Sequence, residues 1–94
     1  MNGRQRKEQG ILQVTYNNGE FLALMRKWAI TRIRRVGTVD ANYLRRRAAE
    51  RGITPKSVNA WGAVWRDPIF RPVGHTMATT PSCHGREIKV WTLA

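Results

Sequence analysis

The side chains able to ligate a metal or act on a substrate are few, and their spacing limits what they can do. His75, Cys83 and His84 fall in one polar stretch near the C-terminus. A zinc site needs about four ligands, usually in two spaced pairs, and no second pair accompanies these three. A cation-dependent nuclease needs carboxylates that share the cation, yet Asp67 and Glu87 stand singly beside structural signals. Ser57 and Ser82 have no acid/base partner in a triad context. The expectation is a non-enzymatic protein without metal or cofactor, in which these histidines, the cysteine and the hydroxyls are polar surface groups.

Guanidinium is what the chain has in excess. Seventeen Lys+Arg stand against six Asp+Glu, a net charge of +11, and thirteen of the cations are Arg. Self-repulsion of this size persists in compact proteins where a polyanion neutralises it. Nucleic acid is therefore the expected partner. The alternative is a small basic inhibitor or adaptor that docks on an acidic host protein. Nine of the cations lie between residues 26 and 51 against Asp40 and Glu50, so +7 of the charge sits there. Arg45, Arg46 and Arg47 sweep more than half a helical turn and cannot all serve one flat surface. A second contact surface, RNA binding and a homodimer all stay open.

A chain of 94 residues with 41% hydrophobic content has material for one small core. No apolar run reaches the roughly 18 residues that span a bilayer, and the opening Met1–Lys7 stretch lacks the apolar segment of a signal peptide. The single Cys83 forms no internal disulfide. Together these point to the cytoplasm, with no membrane partner.

The elements that position the cations follow from punctuation and period. Residues 1–17 read as a flexible basic arm and 18–94 as the folded domain. A first helix starts at Asn18, capped by Asn17 or Asn18. It carries Phe21, Leu22, Met25, Trp28, Ala29, Ile33 and Val36 on one face and ends at Gly37. Asp40 caps a second helix from Ala41 to about Arg51, with Val39 and Leu44 placed as a hydrophobic staple. Thr54-Pro55 opens a third, which turns Val58, Trp61, Val64 and Trp65 to the core and runs to Asp67-Pro68. Gly62 within it costs about 1 kcal/mol relative to Ala, which implies close contact with helix one, helix two or a bound duplex. After Pro68 a short extended stretch, a polar tip over His75–Gly85 and a strand over Arg86–Leu93 make a hairpin. Pro72 donates no ladder hydrogen bond, so the first strand should be short, bulged or at an edge. All four Trp fall on the apolar faces, Trp91 in the last strand.

This order, carried by Gly37-Thr38-Val39-Asp40, by Gly52-Ile53-Thr54-Pro55-Lys56-Ser57 and by the hairpin around Arg86–Leu93, resembles a winged helix-turn-helix domain. The segment Asn59–Arg66 with Ser82–Arg86 also resembles small phage and prophage proteins. The resemblance implies an α+β fold, a three-helix core followed by a β-hairpin wing. It further implies a third helix in the DNA major groove, a wing on an adjacent groove or phosphates, and a phage-type role in transcription regulation, as a replication accessory or as a nucleoid-type binder. The residues suit that use. Opposite its apolar face, helix three presents Lys56, Ser57, Asn59, Ala60, Ala63 and Arg66, with Asn able to pair with adenine and Lys or Ser to reach phosphate. Arg45, Arg46 and Arg51 are expected phosphate contacts, joined on the hairpin by Arg71, His84 and Arg86.

Overall fold

Asn17 holds extended backbone and its side chain accepts from the Glu20 amide at 2.9 Å, so the first helix, α1, begins at Asn18 and runs to Val36. Gly37, at φ 95°, ends it in the left-handed region, its N–H donating to the Ile33 carbonyl. The computed structural model describes residues 13–79 and 86–94. The arm's residues 1–12, and Ser82, Cys83 and His84 of the hairpin tip, lie outside the described residues.

Asp40 caps α2 (Ala41–Glu50) by accepting from the Tyr43 amide at 3.1 Å. The staple pair Val39 and Leu44 is buried, as are Phe21, Met25, Ala29 and Ile33 of α1 and Ala48 of α2. Spaced by four residues, the α1 set forms the stripe that helix packing needs. Val36, expected on that stripe, is 53% exposed, because it follows Ile33 onto the last free turn.

Two expectations change at the next step. The end of the presumed arm is ordered: Val14–Tyr16 forms a strand, β1, which pairs in parallel with Ile53–Pro55, β2. Their β-branched and aromatic residues suit a pleated pair. Its ends are tied by Val14 N–H to the Gly52 carbonyl at 2.7 Å and Lys56 N–H to the Tyr16 carbonyl at 3.0 Å. Thr54-Pro55 therefore belongs to a strand and opens no helix. The third helix, α3, is one turn, Ala60–Ala63, continued by a 3₁₀ turn over Val64–Arg66. Val58 now precedes the helix and is 72% exposed, while Ala60 is only 4% exposed, the reverse of the expected placement of those two; Val64 is buried and Trp61 and Trp65 pack on the core as expected.

The hairpin pairs β3 (Phe70–Met77) with antiparallel β4 (Glu87–Leu93). The register slips between Pro72 and Gly74, leaving Val73 as the extra residue, so the first strand is bulged where Pro72 removes a donor. It is longer than expected, since His75, Thr76 and Met77 are paired. Between α1 and α2, Val39 bridges to Trp91 through hydrogen bonds of 3.0 and 2.8 Å, which locks the hairpin to the helices. The core thus lies among α1, α2, α3 and the base of the hairpin, closed by Ile53, Val64 and Phe70. This is a mixed α+β fold of three helices and two small sheets. No described helix is long and apolar enough to cross a membrane.

Candidate nucleic-acid interface

The four Trp side chains pack against the core while staying half-buried, and arginines cover two of them, Trp28 and Trp61. Trp61 meets the buried Phe21 edge to face at 4.9 Å, and the Arg45 guanidinium lies 4.7 Å above the Trp61 ring. Trp65 stacks parallel on Trp91 at 5.2 Å and meets Phe70 edge-on. On α1, Trp28 carries Arg47 at 4.9 Å and Arg51 at 5.8 Å, while Tyr43 carries Arg32 at 4.5 Å and Arg46 at 5.8 Å. Each such contact is worth about 0.5–1 kcal/mol at an exposed site. It lets an apolar ring lie near the surface while holding the cation in a defined place.

Arg26 is spent on the fold. Its guanidinium donates to the Val64 and Ala63 carbonyls at 3.1 and 2.9 Å, satisfying acceptors at the end of the short third helix. It also lies 4.0 Å from Asp67, the one ion pair among the described residues, and Asp67 in turn accepts from the Ile69 amide.

Between the 57–66 segment and Arg86, at the tip end of the hairpin ladder, lies a cleft of about 770 Å³. Its lining includes Arg45, Ser57, Asn59, Ala60, Ala63, Arg66 and Arg86, seven of the expected contact residues, and no carboxylate among the described ones. Ala60 supplies only floor. Lys56, Arg46, Arg51 and Arg71 do not line it, and His84 lies outside the described residues. Arg46 and Arg51 are excluded because a helix advances about 100° per residue, which carries them away from the Arg45 flank of α2. Arg71 sits exposed on β3 opposite Thr92. Lys56 is exposed just beyond β2.

Three residues that the sequence reading did not place here matter to the cleft. Asn18 and Leu22, from the first turn of α1, complete one wall. Asn42 of α2 ties down the hairpin: its amide donates to the Met77 carbonyl and accepts from the Thr79 amide, both at 2.9 Å. With the Ala78 N–H to Arg86 carbonyl bond of 2.8 Å, this sets where Arg86 leaves the ladder. Only the polar side chain on a charged helix face hinted at such a role.

Gly62 also lines the cleft, and a Cβ built there meets nothing within 4 Å. The expected close contact with helix one or two is therefore absent, and the open space faces the cleft. Gly62→Ala should raise stability by about 0.5–1 kcal/mol, read as a higher thermal midpoint, since it removes unfolded-state freedom without strain. A lower midpoint would show that the backbone there needs glycine. Among the described residues no group of three or more His, Cys, Asp or Glu could hold a metal ion. Comparison with protein-family models, with curated proteins and with solved structures finds no match for this chain.

Proposed function

We propose that this chain is a non-enzymatic, winged-helix-like protein that grips duplex nucleic acid, DNA foremost, in the cleft between its third helix and its hairpin. The observation that carries this reading is the convergence of Arg45, Arg66 and Arg86 on one concave surface with no described carboxylate on its walls. Guanidinium forks bind phosphate bidentately. Asn59 and the exposed Gly62 beside them supply an amide for a base edge and room for close approach.

The winged-helix reading is supported by the Val39–Trp91 bridge, which stands where such domains pair the link between helices one and two with the wing. The short third helix modifies it. Seven residues in α3 and its 3₁₀ continuation present one turn to a groove, so most of the affinity is assigned to phosphate contacts and little to base readout. A regulator or a replication accessory of the phage type fits this division.

The test is a salt titration of binding to a random duplex. Neutralising about three to five phosphates gives a log–log slope of about −3 to −4.5. A slope near zero removes the nucleic-acid reading. Equal or tighter binding to duplex RNA at matched salt moves the partner from DNA to RNA. An acidic protein partner that keeps its hold against excess duplex transfers the cleft to the adaptor reading.

A further inference from the structure

Helix α2 carries cations on two flanks, and the cleft uses only one. With Leu44 and Ala48 buried, Arg45 points to the hairpin side, and Arg47, two residues on and about 200° further round, points to the other. Arg46 lies between them at the solvent apex, and Arg51 returns to the Arg47 side. On that second flank α1 contributes Trp28 and Arg32. The result is a strip in which each of two rings is flanked by two guanidiniums: Trp28 by Arg47 and Arg51, Tyr43 by Arg32 and Arg46.

The strip is more than a solvated charge run. Rings hold the guanidiniums in place, which lowers the ordering cost of a further contact, while no side-chain hydrogen bond to another described residue occupies their N–H edges. Glu50 lies on the same flank, yet no described carboxylate comes within 4.0 Å of any of the four arginines. Among the described residues, four ring-held cations against one anion suit a polyanionic backbone.

We propose that this strip is a second phosphate-binding surface, so that one molecule holds two nucleic-acid segments and bridges them. This rests on the cleft being the first nucleic-acid site. The Arg47 flank lies about 200° round α2 from the Arg45 flank that borders the cleft, so the strip is assigned a separate segment.

The experiment uses the full chain and two short duplexes, one immobilised and one fluorescent, and measures how much of the second is retained. The wild-type protein should retain it at intermediate protein-to-duplex ratios and release it when protein is in excess. R46Q/R51Q changes the two exposed arginines that lie farther from their rings, both at 5.8 Å, and keeps the closer Arg32 and Arg47 stacks. With its thermal midpoint unchanged, it should lose bridging at least about tenfold while binding a single duplex within about threefold of wild type. Bridging equal to wild type in R46Q/R51Q overturns the proposal, and this is also what a dimer joining two clefts would give. Loss of all single-duplex binding in R46Q/R51Q, with R66A/R86A binding normally, overturns instead the assignment of the cleft as first site.

Discussion

Phe21→Ala should leave the domain largely unfolded at ambient temperature. Phe21 is fully buried, the largest of the completely enclosed side chains, and it stands in the first turn of α1 against the Trp61 edge. Truncating such a ring typically costs about 3–5 kcal/mol, the lost transfer energy plus the cavity left behind. A domain of this size has a total stability of the same order. Trp61→Ala should cost less, because Trp61 is only half-buried and Arg45 covers its ring. Circular dichroism during heating reads both variants. A cooperative melt of the Phe21 variant near the wild-type midpoint would place the core elsewhere, and a Trp61 variant that unfolds more readily than the Phe21 variant would invert the layering.

Removing both exposed cleft cations, Arg66→Ala with Arg86→Ala, should lower affinity for a single duplex by about a hundredfold at low salt. The estimate takes about 1.5 kcal/mol for each lost charged hydrogen bond, the lower end of the usual range. Neither side chain packs in the core, so the melt should not move. The salt slope should become shallower by about two, one for each phosphate contact given up. Arg71→Ala serves as a control, since Arg71 is also exposed but lies outside the cleft. If the control weakens binding as much as the pair does, bulk charge governs the interaction and the cleft has no special part in it.

Those sites divide into what could and could not be foreseen. The ends of α1 and α2 were legible because Asn17, Gly37 and Asp40 act locally, through hydrogen bonds reaching three or four residues. The bulge beside Pro72 was legible for the same reason: one missing donor has one local consequence. The pairing of β1 with β2 was not, since three residues carry no period and Thr54-Pro55 also has the chemistry of a helix start. With the strand in place of a helix start, Val58 falls outside the helix and Ala60 takes the buried place at its beginning, while Trp61, Val64 and Trp65 keep the expected side. The cleft survived the exchange in large part, because Ser57, Asn59, Ala63 and Arg66 border it from a short turn as they would from a longer helix. The arginine–aromatic stacks were beyond reach, as they depend on which side of α2 faces α1.

The parallel clasp of β1 with β2 also orders the assembly of the chain. Thr15 and Thr54 meet across 39 residues of sequence, with both long helices inside the loop they close. Such a closure costs entropy before its contacts form, and parallel pairing is slow for that reason. The β3–β4 ladder joins neighbouring stretches instead, and hairpins form in about 1–10 μs. The hairpin is thus an early, local structure that waits for the helical unit to close. Val39, which receives Trp91, lies within that loop, so docking of the hairpin is expected to follow its closure.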